Sequence, residues 1–599
     1  MKGQVMVKLA FVLLLLPLVC ACASSSDPRE ALKAVWAVED GEKIFREDVG
    51  NPLKTGQGNS VWDGKQVRLF AARNEVVAFQ VILEAGEGGA SQVDVRVSDL
   101  ANGKSNIRGS HPLLKPNEYD GLEVELFTEH YLNVKTPSYN DPEEGGLNWT
   151  AAANPKLTGW IPDALIPFSA KQGKGGAPFA VAKGQNQGVW VDIYVPKTAP
   201  AGVYRGTVTV TVAGKAAAEL PVTLEVLGFA LPDEGHYRSM VFYSDEDIAA
   251  RHGVRRGPEG WDLVRKYHQM AHRHRLELIG WGSWEELQVL RGTLDGTTFS
   301  REAGYAGPGE GVGNSLFSVN TYQCRFPDNE EGYREESDRW VKWFTKHAPK
   351  VEYFLYLMDE PKGDHYEWVR ERAAWVHNNP GPGAKLPVFL TNQPLRELEG
   401  AVDIWSSPTA NIQETPYRKA LGRGERVWLY AAYRPLTPGD VIDEYGIAFR
   451  LKPWIAHKHG IARWFTWEST HWKPNQNEIQ RRMNLFEDPV TFTSGAPSST
   501  GNGDGTLFYP GEDKLFPEED RGYPGPMSSI RMKMYRRGAQ DVEYMWLAEQ
   551  AGHGAEVKAI LKERLPATLW EAGELPSWSN RNADYEQARR RLAELITGH

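Results

Sequence analysis

The period of the apolar residues changes once along this chain, and that change fixes most of what it can fold into. From about Ala34 to Pro232 apolar and polar residues alternate in short runs broken by Gly, Pro, Asn and Asp, which is the period of half-buried strands. Gln66 to Glu84, Glu123 to Asn133 and Gly188 to Val195 are such runs. The clearest is Gly206-Thr207-Val208-Thr209-Val210-Thr211-Val212, with threonine on one face and valine on the other. After a Gly-Lys turn it continues as alternating Leu220, Val222, Leu224 and Val226. Strands of this kind bury one face against a second sheet, so residues 34–232 are expected to form an antiparallel β-sandwich. No ionisable cluster there is placed for chemistry, which leaves a packing or substrate-orienting role.

After Leu231-Pro232-Asp233-Glu234-Gly235 the pattern becomes short apolar runs alternating with helical stretches, the mark of βα units around a parallel sheet. Eight candidate strands follow: Ser239–Tyr243, Leu276–Trp281, Leu316–Thr321, Tyr353–Leu357, Val388–Thr391, Val402–Trp405, Val427–Tyr430 and Ala462–Thr466. Trp261–Arg275, Arg334–His347 and Tyr366–Asn378 carry amphipathic helix patterns, and Gly292–Gly313 is a glycine-rich loop or insertion. Eight such units close into a (β/α)8 TIM-type barrel over residues 236–552, whose site lies at the C-terminal ends of the strands. Ser528 to Gly552 and Glu556 to Ile596 read as helices, so residues 553–599 are expected to pack on the barrel. The fold class is multidomain, β plus α/β, in keeping with a length of 599 residues that asks for two or three cores.

The N-terminus reads as an address. Lys2 and Lys8 precede an apolar run from Leu9 to Val19, too short to span a bilayer comfortably. Val19-Cys20-Ala21-Cys22-Ala23 resembles the lipobox of bacterial lipoproteins, with Cys22 placed to receive the lipid. Residues 1–22 are therefore expected to be a signal peptide and residues 23–33 a tether; plain secretion with cleavage near Ala23 is the alternative. The mature protein is expected to be exported and lipid-anchored, at the outer membrane or cell surface. A net charge of −10 offers no basic footprint for nucleic acid. Three cysteines, two of them at the start, exclude a disulfide framework, and Cys324 reads as a buried small hydrophobe. The sequence sets no oligomeric state.

Chemistry concentrates where Tyr353-Phe354-Leu355-Tyr356-Leu357 runs into Met358-Asp359-Glu360-Pro361. Two adjacent carboxylates at the mouth of a barrel strand repel each other, and burial worsens the repulsion. Glycosidic bond cleavage gives such a pair a use, because an acid of raised pKa must protonate the leaving oxygen while a second group stabilises the cationic centre. The competing account is a helix N-terminus, with Asp359 as cap and Pro361 in the first turn. A surplus of 21 Trp, 23 Tyr and 21 Phe would also serve sugar stacking.

The strand ending Asp-Glu-Pro, together with Gly503-Asp504-Gly505-Thr506-Leu507-Phe508-Tyr509-Pro510-Gly511, Ser528-Ser529-Ile530-Arg531 and Arg536-Arg537-Gly538-Ala539-Gln540-Asp541-Val542-Glu543-Tyr544, resembles glycoside hydrolase family 123 over roughly residues 236–550. That resemblance implies a retaining β-N-acetylgalactosaminidase working with substrate assistance. Glu360 would be the general acid/base, and Asp359 would hold the N–H of the 2-acetamido group, whose carbonyl oxygen attacks the anomeric carbon. The seventh strand supports this independently, since Val427-Trp428-Leu429-Tyr430-Ala431-Ala432-Tyr433-Arg434 offers no carboxylate nucleophile before Asp440.

Further substrate-binding candidates are Asn392 after the fifth strand, Trp405, Trp428, Tyr430, Trp464 and Trp467 at or near strand ends, Glu468 past the eighth, and Tyr509 beside the acetamido carbonyl. Arg537 and Asp541 have helical ion-pair spacing and are read, with Arg531, as a structural network at the barrel rim. Two rival functions remain: a glycosidase of non-acetamido sugars pairing Glu360 with Glu468, and a surface glycan-binding lipoprotein without catalysis. Oligosaccharide or glycoconjugate is the expected partner in each. The 15 histidines are scattered, so no metal site and no cofactor are expected; His272-Arg273-His274 reads as a solvated helix end.

Overall fold

The computed structural model describes residues 28–110, 119, 121–138, 155–410, 412–472, 483–493 and 500–598. Cys22 and the signal segment lie outside the described residues. Among those described, no helix is long and apolar enough to cross a membrane.

The N-terminal third is two packed sheets. One orders Leu32–Glu39, Glu75–Ala85, Asn186–Val195, Val124–Val134 and Gly159–Pro167, every pair antiparallel. The other runs Val67–Arg73, Lys215–Ala230, Gly202–Val212, Ala90–Val97 and Phe179–Val181, with two short strands off that path. The valine face of Gly202–Val212 is buried and its threonine face is not, as the alternation predicts. One pairing differs from a purely antiparallel sandwich: Val67–Arg73 lies parallel to Lys215–Ala230. Strand direction at that edge depends on which distant segment closes the sheet, and alternation carries no such information. The first strand also starts at Leu32, inside the expected tether.

All eight expected barrel strands form, as Arg238–Phe242, Leu278–Ile279, Leu316–Val319, Glu352–Met358, Val388–Leu390, Ile404–Pro408, Arg426–Tyr430 and Arg463–Thr466. They pair in parallel in ring order. The barrel is nearly closed. No strand ladder joins the second strand to the third; Asn320 N to Gly282 O at 3.2 Å and Thr321 N to Trp281 O at 3.1 Å bridge that seam at its upper end. Met240, Phe242, Phe354, Tyr356, Phe389, Trp428 and Phe465 fill the interior, in the layered manner of a packed barrel. The first half of Gly292–Gly313 holds short helices, Arg291–Asp295, Thr297–Phe299 and Arg301–Ala303, and the rest is turn and loop.

Helix Ile530–Gln550, capped by the Ser529 side chain on Met532 N, joins the two domains. It is buried nearly all round although it carries Arg531, Lys533, Arg536, Arg537 and Asp541. Each finds a partner: Arg531 with Asp163 at 2.8 Å, Lys533 with Asp192 at 2.8 Å, Arg536 with Asp192 at 2.6 Å and Arg537 with Glu75 at 2.9 Å. The Arg537–Asp541 pair read from helical spacing gives way to longer reaches, because Asp541 binds Arg450 at 2.6 Å from the neighbouring helix Ala448–His459. Arg589 of the last helix, Asn582–Thr597, also reaches Glu75 at 2.9 Å, so the C-terminus packs on the sandwich as well as on the barrel. His272-Arg273-His274 is not solvated: Arg273 and His274 are buried, and Arg273 pairs with Glu125 of the sandwich at 2.9 Å. The helix end that looked exposed faces the other domain.

Candidate active site

In the fourth barrel strand Phe354 and Tyr356 face inward and Leu355 and Leu357 outward. Its register with Val388–Leu390 slips between Tyr356 and Met358, an irregularity of the kind that re-aims side chains beside active sites. The backbone then turns left-handed at Glu360, where φ is +41°, a conformation costing a non-glycine residue about 1–2 kcal/mol. Thr391, just past the fifth strand, secures that turn. Its hydroxyl accepts the Glu360 N–H at 2.7 Å and donates to Asp359 Oδ1 at 2.6 Å. Tyr356 donates to the same oxygen at 2.7 Å. One oxygen of Asp359 is thus saturated, and the other is open to a ligand. Glu360 Oε1 accepts the hydroxyl of Tyr430, the last residue of the seventh strand.

Both carboxyls touch solvent through an opening while the surrounding walls crowd them. Burial raises the pKa of each; Thr391 and Tyr356 offset part of that rise for Asp359. For Glu360 the bond from Tyr430 lowers it and the neighbouring Asp359 charge raises it further. A carboxyl with a raised pKa keeps its proton to higher pH than a free one, which suits general acid catalysis.

The pair lines a cavity of ≈ 270 Å³ across the barrel mouth. Tyr322, beyond the third strand, donates its hydroxyl to the Trp467 carbonyl beyond the eighth, spanning that mouth. Tyr322 and Ala431 are left-handed too, at φ of +65° and +53°, so backbone strain gathers around the cavity. Opposite the acid pair, Trp467 Nε1 donates to Asp504 Oδ1 at 2.9 Å, and burial lifts Asp504 to a pKa of about 6. Gly505 lets the Asp504 turn approach, since a Cβ there would sit 2.7 Å from the Trp467 ring. Among the described residues no group of His, Cys, Asp and Glu could hold a metal ion.

Of the residues singled out in the sequence, the cavity unites Asp359, Glu360, Tyr430 and Trp467. The others stand elsewhere. Asn392 braces the loop, donating to Pro361 O at 2.9 Å and accepting from Gln393 N at 2.9 Å. Trp405, bonded to Glu425 at 2.7 Å, and Trp464, bonded to Ala431 O at 3.1 Å, face the helical shell. Trp428 lies in the interior core beneath the cavity. Glu468 is buried among Ser469 N, Thr470 N and the Thr470 hydroxyl, and burial outweighs those donors to leave its pKa about 8. Tyr509 donates to Asp163 of the sandwich at 2.7 Å and does not line the cavity. Tyr322, Thr391 and Asp504 join the site from outside the residues singled out. Nothing local marks the first two; Asp504, set between Gly503 and Gly505, does carry a signal.

The catalytic domain of glycoside hydrolase 123 matches residues 318–548. That stretch holds the acid pair, Tyr322, Thr391, Tyr430, Trp467 and Asp504, and its likeness to that catalytic domain supports glycoside hydrolase activity. The structure of a family 123 glycoside hydrolase from Clostridium perfringens, studied for glycolipid glycan hydrolysis, covers 94% of this chain and 97% of its own at TM-score 0.62 and 12% identity. At that identity the likeness shows the fold, the preceding sandwich included. A family 39 glycoside hydrolase from Bacteroides cellulosilyticus WH2 follows at 9% identity and TM-score 0.26, covering 70% of this chain and 78% of that one. A GH5 xyloglucanase from Bacteroides ovatus stands at 7% and 0.25, covering 79% and 98%. Both fits are too loose to carry an argument. No curated protein matches the chain.

Proposed function

We propose that this chain is an exo-acting β-N-acetylhexosaminidase of the N-acetylgalactosaminidase type, retaining, with the substrate's own amide as nucleophile. The observation that supports it best is the division of labour in the acid pair. Asp359 is fixed by two hydroxyls with one oxygen left over, the arrangement needed to accept an amide N–H. Glu360 carries the raised pKa of an acid and sits under an adjustable phenol. Glu468, the rival partner, does not line the cavity.

In the first step Glu360 gives its proton to the glycosidic oxygen as the C1–O bond breaks, and the acetamido carbonyl oxygen bonds to C1, forming an oxazoline whose N–H charge Asp359 takes up. Glu360, now a carboxylate, removes a proton from water as it opens that ring, restoring the acid and the original anomeric configuration. The substrate class is a terminal 2-acetamido sugar on an oligosaccharide or glycoconjugate, glycolipid glycans included. Export with a lipid at Cys22 would place the enzyme at the outer membrane or cell surface, facing such substrates.

Purified protein is expected to cleave aryl β-N-acetylgalactosaminide, or failing that the N-acetylglucosaminide, far faster than the aryl galactoside, whose slow turnover gives the plain-hexoside reference rate. Glu360→Gln should lose about 10²–10⁴-fold in kcat on poor leaving groups, the usual worth of general acid catalysis. Asp359→Asn should harm acetamido substrates far more than plain hexosides. Wild-type rates in the first variant, or equal loss on both substrate classes in the second, refute the assignment; binding of glycans without turnover would leave the surface glycan-capture reading.

A further inference from the structure

We propose that Asp504, steadied by Trp467, is the specificity-determining residue of this cavity, taking the hydroxyls on the edge of the sugar ring farthest from the scissile bond. The inference rests on the glycosidase reading above and deepens it. Ring order puts the fourth and eighth strands diametrically apart, so the acid pair after the one and Trp467 with Asp504 after the other face each other across the mouth. Glu360 must meet the oxygen on C1 and Asp359 the substituent on C2. A pyranose so held turns its C4 and C6 hydroxyls toward Asp504, whose Oδ1 is already committed to Trp467 at 2.9 Å and whose other oxygen can accept them.

The turn carrying Asp504 is built to stay in place. Arg531 donates to Gly503 O at 2.6 Å and to Thr506 O at 2.5 Å, bracketing the aspartate, and is itself fixed by Asp163 of the sandwich at 2.8 Å. The sandwich thereby acts on the site as a brace. A cavity of ≈ 270 Å³ lies below the ~300–1,000 Å³ of drug-sized pockets and suits one ring. A charged acceptor at the far edge rejects a ring already substituted there, because the substituent would leave the carboxylate desolvated and unpaired. Exo action follows.

The test measures kcat/KM for wild type and Asp504→Asn on the best aryl N-acetylhexosaminide and on its 4-deoxy and 6-deoxy analogues. Wild type should lose about 10–100-fold on at least one deoxy analogue, the range for one hydrogen bond to a charged group. The variant should lose a similar factor on the parent and then show little further penalty for that analogue. Undiminished wild-type kcat/KM on both analogues overturns the proposal even if the variant fails to fold. Parallel losses for variant and wild type across the series overturn it as well. Azide rescue of Asp504→Ala with formation of a glycosyl azide would make Asp504 a nucleophile and overturn both this role and substrate assistance. Wild type that cleaves none of these glycosides removes the glycosidase reading and this inference with it, whereas cleavage with flat deoxy responses removes this inference alone.

Discussion

A single threonine hydroxyl ties the two catalytic candidates together. Thr391 receives the Glu360 N–H and gives its proton to Asp359, so the left-handed turn and the orientation of the Asp359 carboxylate are one unit. Tyr430 tunes the other member. Its hydroxyl favours the ionised form of Glu360 while burial and Asp359 oppose it; removing the hydroxyl raises the pKa further, and the acid form persists to higher pH. Tyr430→Phe should therefore shift the alkaline limb of the kcat–pH profile upward, and an unmoved or lowered limb would refute that role. That Asp359 and Glu360 stand at the mouth of a barrel strand was legible in the sequence, because an acid pair follows a buried apolar run there, and both line the cavity. The places of Trp405, Trp428 and Trp464 were not, since a tryptophan near a strand end faces shell, interior or mouth according to a register that only the assembled barrel sets. Thr391 and Tyr322 are ordinary in sequence, and their importance comes from neighbours on other strands.

Helix Ile530–Gln550 and helix Ala448–His459 approach so closely that a Cβ on Gly538 would lie 2.2 Å from Arg450 O. Gly538→Ala should push the helices apart at a cost of about 1–3 kcal/mol, read as a lower Tm with KM unchanged; an unaltered Tm would show that the contact gives way freely. At this scale the sequence was most informative. Eight apolar runs became eight strands, because a buried parallel strand needs continuous apolar residues and a helix between neighbours. Closure was harder to foresee. The seam between the second and third strands is two residues long on one side, Leu278–Ile279, and backbone bonds beyond the strands complete it. Polar helices mislead for the same reason that His272-Arg273-His274 did: charge reads as exposure until a partner domain supplies the counter-charge.

The two domains share a buried electrostatic seam beside an apolar one. Burial pushes the pKa of Asp192 up, but the cations Arg536 and Lys533 together pull it well below the ordinary carboxylate range. A group depressed in the folded state lends stability above its unfolded pKa, and that stability is lost as pH falls. Asp192→Asn should cost about 3–5 kcal/mol at neutral pH by stranding two buried cations, and should flatten the acid side of the Tm–pH curve; a curve parallel to wild type would refute the account. Glu75 gathers the same seam to a point, receiving Arg537 from 462 residues downstream and Arg589 from 514 downstream. A polypeptide made from its N-terminus must carry that glutamate without its arginines until almost the last helix has been synthesised. The knot that unites sandwich, barrel and tail can be tied only once the molecule is nearly complete, so a chain cut short at its end releases its beginning.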